Sequence, residues 1–262
     1  MHWVIQQGLY STEDQCALIR SLDRCGVLYD VVSVDKRSVK MVPDVNPSGL
    51  VMVCGTYSLS RIAVERLWRP GTFLNRNHNH RAWVSAWGDL MLNADALTCQ
   101  LRDVAPTHDR IFIRPLDDNK FFDGQVMDCK DVKAFRDAVL CGVRPHIPCS
   151  ERLVPDTQVV YGPAIAIYRE ARLFVIDGEI VAWSTFRIGR NVVASPDVDP
   201  AALEFGRAAV AAWQPARGFA LDVALTAGGY RIVEVNCLNM SRFYGADIQR
   251  IVAAIETMVF DA

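Results

Sequence analysis

Two acids and an amide stand at the spacing of a metal site near the end of this chain. The stretch FALDVALTAGGYRIVEVNCLN (219–239) alternates as two strands of a hairpin, with Asp222 on the first and Glu234 and Asn236 on the second. Phe219, Leu221, Val223 and Leu225 take one face, and Ala220, Asp222 and Ala224 take the other. The return strand sets Val233, Val235 and Cys237 against Ile232, Glu234 and Asn236. A three-residue loop of Ala227, Gly228 and Gly229, with glycine in the left-handed position, pairs Thr226 with Tyr230 and puts Asp222 opposite Glu234. A two-residue loop would send the carboxylates to opposite faces. Two carboxylates and an amide oxygen, on a face otherwise kept small by alanines, suit a hard cation such as magnesium. The competing reading is a solvated sheet face, which would ordinarily mix in Lys, Thr or Arg.

The elements that must position these groups follow from the pattern upstream. YGPAIAIYREARLFVIDGEIVAWSTFRIG (161–189) holds a second hairpin, turning at Asp177-Gly178. Uninterrupted two-residue counting puts Glu170, Arg172 and Phe174 on one face with Val181, Trp183, Thr185 and Arg187. IFIRP (111–115) reads as a strand ending in Arg114, followed by a loop, DDNKFFDGQV, that carries Lys120 and Gly124. Helices are expected at about 130–141, 200–213 and 245–259. The first hundred residues alternate strands at 2–7, 27–34 and 49–55 with helices at 12–26 and near 58–67, the pattern of a small open α/β domain. GLVMVCG (49–55) is apolar throughout and so central in a parallel sheet, and Gly55, Thr56, Tyr57 and Ser58 follow it where open α/β sheets bind ligands. WRPGTF (68–73) reads as a turn, and 81–100 as helical. The polar connector RDVAPTHDR places a boundary near residue 105, giving an N-terminal α/β domain at 1–105 and an α+β domain at 106–262.

Composition narrows the function classes. The 262 residues are 51% hydrophobic and 22% charged with a formal net charge of −2, an ordinary globular balance that gives no reason to expect a nucleic-acid partner. No apolar run is long enough to span a bilayer, and the start MHWVIQQGLY lacks the basic and apolar regions of a secretory signal, so a cytoplasmic location is expected. The eight cysteines are scattered without a CxxC pair and read as reduced thiols, most of them buried. Cys141, His146 and Cys149 match none of the common zinc spacings. His78 and His80, in NRNHNHR, read as part of a polar loop.

Four elements in order carry a resemblance: IRP-x4-K-x-F-x-G (113–124), Glu-x-Arg-x-Phe-x-x-x-Gly (170–178), Asp222 on a strand, and Glu-x-Asn (234–236). Together they resemble the ATP-grasp superfamily, in which two α+β subdomains close on a nucleotide and its magnesium ions. The resemblance covers about 106–262, and the segment before it looks like the α/β domain that often precedes an ATP-grasp core. Many members carry lysine where Arg114 stands, which makes the chain similar to an atypical branch of bacterial and phage proteins. Arginine also binds phosphate, through a planar fork.

The resemblance implies ATP and Mg2+ as cofactors, with Asp222, Glu234 and Asn236 as the magnesium ligands. Arg114 would contact the α- or β-phosphate, and Lys120 would close over the phosphates. Arg172 and Arg187 would meet the γ-phosphate or an acyl phosphate, with Glu170 orienting Arg172 through a salt bridge; a purely structural Glu–Arg pair competes with that role. The main chain of Val159, Val160, Tyr161 and Gly162 would read the adenine edge. Asn239, Ser241 and Tyr244 would lie near the catalytic cleft. The implied activity is a ligase that joins a small-molecule or peptide carboxylate to an amine or thiol. A kinase that stops at phosphoryl transfer, and a non-catalytic nucleotide-binding module, are the rival expectations.

Overall fold

The computed structural model describes residues 1–35, 38–73, 79–117 and 121–260. The predicted phosphate contact Lys120, like His78, lies outside the described residues. The chain opens with β1 (His2–Gln6), α1 (Thr12–Arg24), β2 (Leu28–Asp35), β3 (Lys40–Val42), β4 (Leu50–Cys54), α2 (Tyr57–Glu65) and β5 (Arg69–Gly71). The strands form a sheet in the order β3-β2-β1-β4-β5, parallel except for β3. The apolar run read as a central strand is β4, flanked by β1 and β5 and buried at Val51, Met52 and Val53. Crossover connections cover both faces of a parallel sheet, which is why such strands lose their polar alternation. Arg69–Gly71, expected as a turn, is the edge strand β5; an edge tolerates Pro70, which has no N–H to give.

The middle of the chain contributes α3 (His80–Trp87), β6 (Leu97–Gln100), β7 (Arg110–Pro115), β8 (Gln125–Asp128), α4 (Cys129–Leu140) and β9 (Gln158–Pro163). Its sheet runs β6-β9-β7-β8, wholly antiparallel. Val132, Phe135 and Val139, on one stripe of α4, pack in a core with Ile111, Ile113 and Val159. The helix expected over 81–100 ends at Trp87, where Gly88 takes φ +51, and the chain becomes β6 by Leu97.

The last third holds β10 (Arg169–Ile176), β11 (Glu179–Ile188), β12 (Asn191–Ser195), α5 (Pro200–Ala212), β13 (Gly218–Thr226), β14 (Gly229–Cys237) and α6 (Ile248–Glu256), with sheet order β12-β11-β10-β13-β14. Asp177 and Gly178 both take positive φ, +46 and +84, as a two-residue hairpin turn requires. On one side of this sheet α5 comes so close that a Cβ on Gly206 would lie 2.2 Å from Leu173 Cδ1. On the other, Phe174, Ala182 and Ala220 join Phe243, Ile251 and Val252 in a core shared with α1 and β1.

Contacts divide the chain into two compact units, along a different line from the sequence boundary at 105. The first holds 1–76, 168–225 and 234–262, and the second 77–167 and 226–233. The N-terminal sheet shares its core with β10, β11, β13 and α6, so it belongs with them and not to a domain of its own. Within the second unit the hairpin tip joins the middle sheet's neighbourhood through a parallel bridge from Ile232 to Met91.

Candidate active site

In the first unit a row of polar groups crosses the sheet. Arg172 on β10 lies directly opposite Asp222 on β13 and opposite Ser184 on β11. Its Nε and Nη2 donate to the two oxygens of Asp222, each at 2.8 Å, a bidentate fork in a buried setting. Nη1 donates to the main-chain oxygen of Arg242 at 3.3 Å, and the guanidinium lies 5.5 Å from the Phe186 ring and 5.3 Å from the Tyr244 ring. Those two rings stack at 5.2 Å. Tyr244 takes φ +49, a left-handed backbone for a bulky residue, which the surrounding contacts must hold in place.

The acidic hairpin closes the row. Asn236 Nδ2 donates to Asp222 Oδ2 at 3.1 Å and to Glu234 Oε1 at 3.0 Å, so all three predicted ligands share one face. The turn explains how. Gly229 takes φ +91, the left-handed bulge that adds a third residue to the loop and keeps Asp222 and Glu234 in phase. Two positions before Arg172 on β10, Glu170 pairs with Arg187, whose Nη1 donates to Oε1 at 3.1 Å.

This pairing corrects two expectations about the other hairpin. Glu170 does not orient Arg172; it holds Arg187, while Arg172 belongs to Asp222. Trp183 and Thr185 are not on the face of Arg172 and Glu170 either, because they pair with Leu173 and Ala171. A bulge at Phe174/Val175 shifts the register by one, and a second at Glu170/Ala171 shifts it again, returning Arg187 to Glu170. Counting from the turn cannot anticipate bulges, since each inserts an unpaired residue.

Burial sets the electrostatics. It pushes the Glu170 carboxyl above its usual range, with Asp222 and Glu234 adding repulsion and Arg187 pulling the other way. Burial likewise pushes Asp222 up, and the fork from Arg172 opposes that push. The guanidinium is held firmly protonated because Asp222 outweighs its own desolvation. The Arg187 side chain is 45% exposed against 6% for Glu170, so it presents its cation at the rim of the face.

The donor set fits a divalent cation. Among the described residues no three His, Cys, Asp or Glu side chains converge as a metal cluster, so a cation here draws on two carboxylates and one amide. The Asn236 N–H2 group bridges both carboxylates, where a positive charge would sit, and a half-turn of the amide presents its oxygen instead.

The second unit carries Arg114 and the predicted adenine segment. Arg114 lies on β7 opposite Val160, is 8% exposed, and holds its guanidinium 5.0 Å from the Trp83 ring. Gly124 closes against it, since a Cβ there would lie 3.3 Å from Arg114 Cβ. Val159, Val160 and Tyr161 sit inside β9, paired on one side to β6 and on the other to β7. Their main-chain N–H and C=O groups are committed to those ladders, so the expectation that they read an adenine edge does not hold for these three residues. Gly162 pairs with Phe112 of β7.

Other expected contacts prove to be fasteners. Asn239 is fully buried: its side-chain oxygen accepts from the Phe73 N–H at 2.8 Å, its amide donates to Val53 O, and its own carbonyl accepts from Gly55 N–H at 3.2 Å. Ser241 turns inward to Cys237 O at 2.9 Å. Thr56 gives both its N–H and its hydroxyl to Gln6 Oε1, at 2.9 Å each. His80, read as a loop residue, is instead the buried first residue of α3. The missed signal is Asn79 as a helix cap, followed by His80, Trp83 and Trp87 at helical spacing.

Sheet, acidic hairpin and arginine pairs together define an ATP-grasp domain. The model of an ATP-grasp domain family, the third family of its clade, matches residues 39–255, and the chain belongs to that family. Its fold is also that of solved ATP-grasp structures. D-cycloserine synthetase DcsG superposes with a TM-score of 0.63 at 13% identity, covering 97% of this chain and 98% of that one. D-alanine–D-alanine ligase from Bacillus anthracis gives 0.60 at 14%, covering 98% and 96%. The ATP-grasp ligase PsnB, complexed with precursor peptide PsnA2 and AMPPNP, gives 0.53 at 16%, covering 97% and 96%. No curated protein matches the chain in sequence.

Proposed function

We propose that the chain is an ATP- and Mg2+-dependent ligase that activates a carboxylate as an acyl phosphate for attack by an amine or a thiol. The observation that carries this reading is the single sheet face holding Asp222, Glu234 and Asn236 beside two arginine–carboxylate pairs. The structural neighbours named as ligases, one of them bound to a peptide, support small-molecule or peptide substrates.

Asp222, Glu234 and the Asn236 amide oxygen would hold magnesium, which when bound neutralises phosphate charge. Arg172 is fixed by Asp222, the Arg242 carbonyl and two rings, so its charge is in place before substrate arrives. Arg187, exposed at the rim, suits the terminal phosphate. Arg114 suits the α- or β-phosphate. In the first step a substrate carboxylate oxygen bonds to the γ-phosphorus and the bond to the departing ADP oxygen breaks. In the second, the nucleophile bonds to the acyl carbon, loses its proton and expels phosphate.

The test is calorimetric titration of a non-hydrolysable ATP analogue with and without Mg2+, on wild type and Glu234→Gln. Magnesium-dependent binding that the variant weakens at least tenfold supports the reading. No binding by folded wild type overturns it. A stable phosphorylated product without amide or thioester formation, in a screen of carboxylates and nucleophiles, would make the chain a kinase.

A further inference from the structure

The second unit contains a buried group that the proposed mechanism does not use. His80 is 4% exposed, and among the described residues its Nε2 has no hydrogen-bond partner. The ring bonds to the main chain of Asn93, and since Nε2 is unpartnered that bond is made by Nδ1. Nδ1 therefore carries the proton to a carbonyl, and Nε2 presents a bare lone pair. A buried polar atom left without a partner is uncommon and points to a missing one.

The lone pair belongs to a compact cluster. The His80 ring lies 6.4 Å from the Trp83 ring, and the Arg114 guanidinium lies 5.0 Å from that same indole. The ring is anchored as well: Asn79 caps α3, and the His80 N–H donates to Leu116 O at 3.1 Å. Burial first, and then the charge of Arg114, hold the imidazole down to about 4 and hence neutral. The charged groups around it, among the described residues, are Arg114 from β7, Asp117 just beyond β7, which accepts from Asn79, and Arg81, exposed on its own helix. The segment reaching Asn93 contributes its main chain. The N-terminal end of α3 also disfavours a proton on the ring until an anion arrives.

We propose that His80 is a proton-accepting phosphate contact: an anion at Arg114 draws a proton onto Nε2, which then donates a hydrogen bond to that anion. This rests on the reading of Arg114 as a phosphate contact. A negative charge about 4 Å away in a partly buried site raises proton affinity roughly a thousandfold. That is enough to carry a ring titrating at about 4 close to neutrality. The nucleotide then binds together with a proton, and its affinity rises as pH falls from about 8 towards about 6.

The test is calorimetry of ADP with excess Mg2+ near neutral pH, in buffers of different ionisation enthalpy, on wild type and His80→Gln. The expected result is net proton uptake by wild type, absent in the variant, with binding at least several-fold weaker in the variant than in wild type under mildly acidic conditions. Imidazole nitrogen NMR spectra of the wild type, in which the five histidines of the chain can be assigned one by one, do not depend on the variant's folding. They should show His80 passing from a neutral tautomer to imidazolium on saturation. Binding without proton uptake, or with His80 still neutral, overturns the proposal and leaves the ligase reading intact. No binding at all by folded wild type removes both.

Discussion

The polar face of the β10–β14 sheet and the His80 cluster of the second unit handle burial in opposite ways. On the sheet face, Asp222 has a guanidinium fork and an amide, Glu170 has Arg187, and Glu234 has Asn236. Opposite charges compensate one another, so the network is closed before any ligand arrives. At His80 the protein instead keeps a neutral ring whose Nε2 lacks a partner among the described residues, beside a guanidinium. A closed network admits a ligand by exchanging partners, whereas an open one gains a partner. The first arrangement favours readiness without a large penalty in the unliganded state; the second couples binding to protonation.

The largest test of this contrast is to break the closed network. Asp222→Ala leaves a buried guanidinium without its carboxylate and should cost about 3–5 kcal/mol in urea unfolding. Replacing both partners, as Arg172→Met with Asp222→Leu, should restore most of that loss, because the cost lies in the uncompensated charge. A double variant as unstable as the single one would show that Arg172 is held mainly by its rings and the Arg242 carbonyl.

Acid titration should separate the two regions by sign. His80 is depressed from 6.5 to about 4, so the folded state binds fewer protons than the unfolded one and stability falls as pH drops through that window, by up to about 3 kcal/mol. His80→Gln should lack this slope when unfolding is followed from about pH 7 to about pH 4. Arg114→Met should reduce the effect, since burial is the larger cause and Arg114 the second. An unchanged His80 titration in that variant, read by NMR, would remove Arg114 from the cluster.

Glu170 should give the smallest effect and the opposite slope. Its carboxyl is raised, so the folded state holds the proton more tightly and stability declines as pH rises above the usual glutamate range. Glu170→Gln should therefore be slightly more stable than wild type at neutral pH, with the advantage vanishing below about pH 4. A variant less stable at neutral pH would mean that the Arg187 pair contributes more than burial costs.

Local chemistry makes much of this legible in the sequence. The acidic hairpin is readable because one left-handed glycine fixes its loop length, and loop length fixes which side chains share a face. The Asp177-Gly178 turn is readable for the same reason, yet the pairs beyond it are not. Two bulges intervene, and these depend on how the strands fit their neighbours. Helix α3 is hidden at both ends: its buried histidine looks polar, and its stop at Gly88 is masked by the apolar residues that continue past it.

By itself the sequence determined the order of elements, the shared face of Asp222, Glu234 and Asn236, and a family resemblance, because periodicity and turn chemistry act over a few residues. Only the tertiary structure decided which carboxylate each arginine holds, that Asn239 fastens strands, that β9 lies within a sheet, and that His80 is buried beside Arg114. Those outcomes depend on partners 17 to 186 residues apart in the chain, whose distances are set by packing and by the balance between desolvation and charge.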